Sequence, residues 1–455
     1  MAGSTSKIQG KGEKKMKRSV YKGLTLLSLA AMLALTACGS GGGNNGESTA
    51  PNNSGNGDSK APVKLKIMWQ GADIRHQAML KTQEVYTKEN PSITFSPEYM
   101  AWDDYWKKLP TLAASHSLPD VLHMDGAYIQ EYATRGTLED LSDIDLSGVI
   151  DDKTLENLKI GGKLYGIPIS RNAQGMAFNK EALEAAGIEL PKKDWTWDEY
   201  FDFARNARTK LPDGVYPISD TDTWDFYQYY QMSYGKGRII QEDGKKFNLD
   251  KDLFMNFYGI HAEFREKKIV PPADMVSAFK ENDPQADPMA SGKVMTRGAT
   301  VGSVGALEQL MPGKIDVVNL PVGPEGGGWA QPTIFLSVST DSKHKDEAKA
   351  FIKWFVTDKA AGQTYGTNFG IPIYDEIYTA LEPTLAPKEK LGKKLYDTAI
   401  DKAMPFSPAA AGWTEWVDNY KKTMDSVMFG QKSIEDAYNE ISKSGNAIAE
   451  KQAAK

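Results

Sequence analysis

From about residue 63 onward, apolar and polar residues along this 455-residue chain fall into strand and helix rhythms. Val63 to Trp69 (VKLKIMW) reads as a strand and Arg75 to Lys88 as a helix. Ile93, Phe95, Pro97 and Tyr99 recur at period two, which predicts a strand, and Pro97 places it near a sheet edge. Asp103 to Ser115 has helical character, and Pro110 is expected to kink or interrupt it. Asp120 to Met124 (DVLHM) reads as a short buried strand, and Tyr128 to Thr134 as a helix ended by Gly136. Strand and helix in repetition argue an α/β fold with a largely parallel sheet.

The second half keeps the same grammar. Leu164 to Ser170 (LYGIPIS) predicts a strand, and Met176 to Phe178 continues another. Asn179 is placed to cap a helix that stops at Gly187. Thr196 and Glu199 form a capping box, T-W-D-E, opening a helix through Arg208. Lys293 to Met295 and Ile315 to Leu320 read as further strands. Ala348, Phe351, Ile352 and Phe355 have the spacing of a packed helix face, and the chain from about Leu391 is mostly helical.

Upstream of the folded part, Leu24 to Ala37 is apolar and uncharged, with Lys14, Lys15, Lys17, Arg18 and Lys22 ahead of it. It is too short for a membrane span, which needs about 20 apolar residues. A basic stretch, a short apolar core and small residues before a cut site make a secretory signal. The sole cysteine, Cys38, closes the run Leu35-Thr36-Ala37-Cys38, and in position and neighbours it resembles the lipobox of bacterial lipoproteins, whose thiol is acylated. Met16 is the alternative start, since Met1 to Lys15 is polar and the signal does not need it. Gly39 to Ala61 has almost no apolar residues and reads as a flexible tether spanning about 25–30 Å.

Charge and composition narrow the chemistry. Cleavage before Cys38 removes seven Lys/Arg and one Glu, taking the net charge from −6 to about −12. An acidic surface argues against nucleic acid or anionic lipid as the main partner. With one cysteine, neither an intrachain disulfide nor a CxxC metal site is available. The five histidines show no HExxH spacing, and Gly302-Ser303-Val304-Gly305 does not satisfy GxSxG. Asp143 to Gly148 resembles the start of a calcium loop, but position twelve is Thr154. Asp220, Asp222 and Asp225 form another acidic cluster, and a carboxylate pair suited to glycoside hydrolysis stays open.

The aromatic residues point to a ligand. Trp69, Trp102, Trp106, Trp224, Trp329 and Trp413 fall at expected strand ends or in Gly/Pro/Asp-rich loops, whereas Trp354 lies in a packed helix. Ligands of open α/β sheets bind beyond the carboxyl ends of strands, where such loops converge. Aromatic faces suit the C–H side of a sugar, and nearby Asp, Asn, Gln and Arg suit its hydroxyls.

Taken in order, several segments resemble the extracellular solute-binding proteins of carbohydrate ABC importers, the group related to maltose-binding protein. They are P-D-V at 119–121, G-T-L-E-D-L at 136–141, the block from Gly162 to Ile188, T-W-D-E-Y at 196–200, A-S-G-K-V-M at 290–295, L-P-V-G-P at 320–324 and S-K-H-K-D-E-A-K-A-F at 342–351. The resemblance implies a two-lobe, periplasmic-binding-protein-like (type II) fold with a hinge and an interlobe cleft. It places a signal peptide at 1–37, the lipidated cysteine and tether at 38–61, lobe one at 62–170 plus 333–380, and lobe two at 171–332 plus 381–455.

Carried over residue by residue, the resemblance puts Trp69, Gln70, Arg75, Trp102, Asp125, Asn172, Trp224, Trp329 and Trp413 at the ligand. Many relatives carry a large aromatic where this chain has Thr300-Val301, so one sugar subsite is expected to be altered or absent. The implied protein is a monomeric binder, not an enzyme, without cofactor or metal, that hands a mono- or oligosaccharide to ABC permease subunits. It would be lipid-anchored on the extracytoplasmic face, with a Gram-positive-like host preferred because a single-membrane cell loses an untethered binder. The competing readings are a same-fold binder of a non-sugar solute and an extracellular glycan-degrading enzyme.

Overall fold

The structure, a computed structural model, describes residues 61–454 other than 72, 222, 242–243 and 405–412, without side-chain detail at 103, 153, 413 and 414. The signal, Cys38 and the tether lie outside the described residues. All that follows lies within the unit Ser59–Lys455.

Among the described residues ten strands carry the fold: β1 (Val63–Gln70), β2 (Ile93–Met100), β3 (Val121–Asp125), β4 (Ile167–Pro168), β5 (Ser170–Asn179), β6 (Thr296–Thr300), β7 (Ile315–Asn319), β8 (Ala330–Pro332), β9 (Ile334–Val338) and β10 (Ile371–Pro372). They form two five-stranded sheets. The first has the order β2-β1-β3-β9-β4, and in the second β6, β7, β8 and β10 all pair with β5. In the first sheet β1 is parallel to β2 and β3, and β2 lies at the edge that Pro97 predicts.

The expectation of a largely parallel arrangement fails: β9 pairs antiparallel with β3 and β4 in the first sheet, and in the second β5 pairs antiparallel with each of its four partners. β5 arrives directly from β4 with only Ile169 between them, and the long helical connection from β5 to β6 is free to return the chain in either direction. Other expectations shift locally. The helix Trp102–Ala114 continues through Pro110. Only Ile167–Pro168 of the 164–170 segment joins the first sheet. Lys293–Met295 precedes β6, with Val294 bridging Tyr216.

Packing explains why these segments take these places. Leu65, Ile67 and Trp69 share one face of β1 and belong to a core with Phe351, Ile352 and Phe355. Met68 turns to the other face and packs with Tyr105, Leu109 and Leu122. A strand buried on both faces reads as the continuous apolar run I-M-W. Ala348, Phe351, Ile352 and Phe355 of helix Lys345–Thr357 are all fully buried, and each large one stabilises the fold by about 1.5–3 kcal/mol. In the second sheet, helix Pro387–Ala399 packs so closely on β5 that a Cβ at Gly175 would lie 2.4 Å from Leu395 Cδ1. Two expected caps form: Asn179 Oδ1 accepts from Ala182 N at 3.0 Å, and the Thr196/Glu199 box closes reciprocally.

The sheets are linked at two one-residue junctions, Ile169 between β4 and β5 and Thr333 between β8 and β9. Ile169 N donates to Ile334 O at 3.1 Å, and Ser170 Oγ donates to Phe369 O at 2.7 Å, just before β10. Three stretches of chain thus run side by side between the two bodies.

Candidate functional site

Because β1 and β3 are parallel, their last residues, Gln70 and Asp125, emerge at the same edge of the first sheet. Gly71 follows Gln70 at φ +152, a backbone that side chains rarely adopt, and turns the chain into helix Asp73–Glu89. The first turn of that helix carries Arg75. Its Nε donates to Asn368 O at 3.2 Å and its Nη1 reaches Gln70 Oε1 at 3.4 Å. The guanidinium also stands 5.5 Å from the centre of the Phe369 ring.

Asp125 is half-buried and accepts from Ala127 N at 2.8 Å. Burial pushes its carboxyl up to about 6, against the pull of the Ala127 N–H and of Arg75. Burial lowers the Arg75 pKa and Asp125 opposes that. Behind them, His123 is buried beside Phe369, and burial with the nearby Arg75 charge brings its imidazole down to about 3. It is a neutral wall of the site.

The junction residue Thr333 gathers the next group. Gly126 N donates to Thr333 O at 2.9 Å, and Asn172 Nδ2 approaches Thr333 Oγ1 at 3.4 Å. Asn172 and Gln174 stand two apart on β5 and so share a face. Gln174 Nε2 donates to Asp225 Oδ2 at 2.8 Å, and Gln174 N donates to Trp329 O at 3.0 Å. Asn172 is thereby tied to the first sheet, and Gln174 links β5 to helix Trp224–Ser233 and to Trp329.

Aromatic rings flank the polar edge. Trp102 opens helix Trp102–Ala114 and is 42% exposed. Its ring lies 5.5 Å from Trp106, which stacks on Tyr128 at 4.0 Å, three residues beyond Asp125. Tyr105 OH donates to His123 O at 2.6 Å and pins this helix to β3. Trp224 and Trp329 are half-buried and pack against the core of the second sheet.

Not every expected residue faces solvent. Trp69 is fully buried, 5.0 Å from Tyr99 and 6.2 Å from His76, because period two sends it into the β1 core. It supports the site from beneath and offers no free face. Trp413 begins helix Trp413–Met428, but its side chain is outside the description. Val301 is buried in a cluster with Ala173 and Tyr378.

Sequence reading singled out Trp106 among the ligand-suited aromatics without carrying it into the site, and missed Tyr128, Gln174, Thr333 and Phe369 as contributors. Tyr128 and Gln174 carried a local signal, three residues after Asp125 and two after Asn172. Thr333 and Phe369 carried none, since only the tertiary fold brings residues so far along the chain to β3.

The acidic groups noted in the sequence disperse. Asp220 is buried between His261 Nδ1 at 2.9 Å and Arg265 Nε at 2.7 Å, Asp222 is outside the described residues, and Asp225 is committed to Gln174. Asp143 and Asp145 face Lys349 and Lys353. Among the described residues, no group of three His, Cys, Asp or Glu is placed to hold a metal ion. A cavity of 1190 Å³ takes in Gly126, next to Asp125, and Gln331, the register partner of Asn172, together with Arg171, Arg238 and Tyr396.

Two α/β bodies joined by short strand crossings, with polar and aromatic side chains at the junction, define a two-lobe periplasmic-binding-protein-like fold. The chain belongs to the bacterial extracellular solute-binding proteins, whose family model matches residues 73–362. It is 25% identical over 384 residues to a putative binding protein of Brucella abortus, covering 82% of this chain and 89% of that one. It is also 25% identical to the diacetylchitobiose binding protein DasA of Streptomyces coelicolor, covering 82% and 85%. A periplasmic solute binding protein of Pectobacterium atrosepticum superposes with a TM-score of 0.75 at 22% identity, over 86% of this chain and 99% of that one.

Proposed function

We propose that this protein captures a sugar or oligosaccharide between its lobes and delivers it to a membrane ABC importer, without turning it over. The observation that carries this reading is the pairing of hydroxyl-binding groups with aromatic faces at one sheet edge. Gln70, Arg75 and Asp125 stand beside the Trp102–Trp106–Tyr128 cluster, and Asn172 joins them through Thr333. Trp224 and Trp329 extend the aromatic lining on the second body, and Trp413 is assigned there from the resemblance. Trp69 acts as the support under Gln70.

Ligand touching both bodies favours the closed arrangement by its differential affinity for that state. A micromolar dissociation constant corresponds to about −8 kcal/mol, within reach of a few aromatic contacts and several hydrogen bonds. The diacetylchitobiose-binding relative supports a carbohydrate ligand. The lipobox-like Cys38 and its tether support anchoring to the extracytoplasmic face of a Gram-positive-like membrane, where the importer operates.

A thermal-shift screen tests the reading. Sugars are expected to raise the unfolding temperature and peptides, polyamines and iron complexes to leave it unchanged. A shift with one of those solutes and with no sugar would replace the reading by a non-sugar binder of the same fold.

A further inference from the structure

Asn368 and Phe369 offer two consecutive backbone carbonyls to opposite sides of the junction. Asn368 O accepts from Arg75 Nε at 3.2 Å, on the first body, and Phe369 O accepts from Ser170 Oγ at 2.7 Å, at the start of β5. Ser170 is buried and stands two residues before Asn172, so the two share a face of the strand. The segment bonded to one polar group of the site is thus bonded also to the strand that carries another.

These carbonyls are held in place from the first body. Asn368 N donates to Tyr365 O at 3.2 Å and its Nδ2 to the same oxygen at 2.8 Å, and Gly370 N donates to Thr367 O at 3.0 Å. The Phe369 ring is buried edge-on to His123 at 5.6 Å and to Tyr365 at 6.1 Å, with the Arg75 guanidinium over it. A buried ring with three such neighbours leaves its backbone little freedom to swing.

The Ser170 hydroxyl carries much of the link to β5. Here β10 pairs with β5 at only two positions, Ile371 with Arg171 and Pro372 with Ser170, and a proline has no N–H to give to the ladder. The neighbouring backbone bond, Ile373 N to Ile169 O, is 3.3 Å long. The two segments lie so close that a Cβ at Gly370 would stand 3.1 Å from Ser170 Oγ.

We infer that Ser170 and Phe369 are positioning residues of the site: without touching the ligand, they hold Asn172 on β5 in register with Arg75 on the first body. This rests on the reading of the chain as a sugar binder whose ligand meets both bodies. Apparent affinity falls by the fraction of molecules in the competent arrangement, and ordering two halves of a site at the moment of binding weakens it further. Loss of the Ser170 hydroxyl is therefore read in affinity and in the spread of distances between the bodies.

Calorimetric titration of the full chain with the sugar giving the largest thermal shift tests this. Ser170→Ala is expected to weaken binding about tenfold. Thr82→Ala removes another buried hydroxyl, bonded at 2.8 Å to Ala78 O within one helix, and is expected to bind within about twofold of the wild type. Spin labels at Lys88→Cys and Lys443→Cys, exposed positions on the first and second bodies, give inter-body distances in a Cys38→Ser background. The ligand-free distribution is expected to broaden in Ser170→Ala, to narrow again with saturating sugar, and to match the wild type in Thr82→Ala. Ser170→Ala with wild-type affinity, or with an unbroadened distribution, overturns the positioning role, and so does an equal loss of affinity in Thr82→Ala. If the wild type binds no sugar, the proposed function fails, and the ligand-free distances still decide whether Ser170 fixes the two bodies.

Discussion

Arg75 and Asn368, 293 positions apart, are joined by a hydrogen bond from the guanidinium Nε to the Asn368 carbonyl at 3.2 Å. That bond fastens the first turn after β1 to the segment that leads into β10, one of the stretches running between the two bodies. The polar edge of the site and the junction are therefore one structure.

Arg75→Met keeps the apolar stem and removes the guanidinium, leaving Asn368 O and Gln70 Oε1 without this donor. The expected destabilisation is about 1–3 kcal/mol, since unsatisfied acceptors in a partly buried site retain their desolvation cost. Thermal unfolding reads it as a drop of several degrees, accompanied by weaker sugar binding. An unchanged melting temperature with unchanged affinity contradicts the role given to Arg75.

Asp125 gives a pH dependence with a definite sign. Its folded pKa is raised from 3.8 to about 6 by burial. Between these values the folded state holds more protons than the unfolded state, so stability falls as pH rises from about 4 to about 6. Above that window the cost of the buried carboxylate is fully present. Asp125→Asn carries no such charge, so its melting temperature is expected to gain on the wild type across the window and to stay above it at pH 7. Parallel curves for the two proteins from pH 4 to 7.5 would contradict the assignment.

In the second body, Arg297 Nη2 donates to Asp287 Oδ2 at 3.0 Å and to Asn282 Oδ1 at 3.1 Å, with the ion pair almost wholly buried. Asp287 also accepts from the N–H groups of Asn282, Met289 and Ala290. Arg297→Met leaves that carboxylate buried without its counter-charge, which costs about 3–5 kcal/mol. Chemical denaturation is expected to show the loss. A variant within 1 kcal/mol of the wild type, an order-of-magnitude bound for harmless changes, would show the pair to be dispensable.

Trp102 is the most exposed ring of its cluster. Trp102→Ala is expected to weaken sugar binding at least tenfold, or about 1.4 kcal/mol, with little effect on stability. Equal affinity in titrations of the variant and the wild type removes Trp102 from the site.

Much of this was legible in the sequence because the relevant signals are local. The Thr196/Glu199 box, the Asn179 cap and the Phe351–Phe355 face depend on spacings of a few residues, and each forms as the spacing requires. Gln70 and Asp125 are proposed for the site from their positions at strand ends and from the resemblance, and Asn172 from the resemblance alone. The direction of β5 was not legible, because it depends on a one-residue junction that only the assembled sheets define. Burial of Trp69 was available from the alternation along β1, but its position at a strand end suggested exposure instead. Asn368 and Phe369 reach the site from far along the chain, and no local pattern announces such a contact.

The central claim is reversible capture of a sugar without chemistry. The direct measurement is calorimetric titration with the sugar giving the largest thermal shift, followed by chromatography of the sugar recovered after prolonged incubation. Saturable one-to-one binding near micromolar affinity, with the sugar recovered intact, is the expected result. Shortened or rearranged sugar released by the pure protein would contradict it and make the chain a glycan-degrading enzyme.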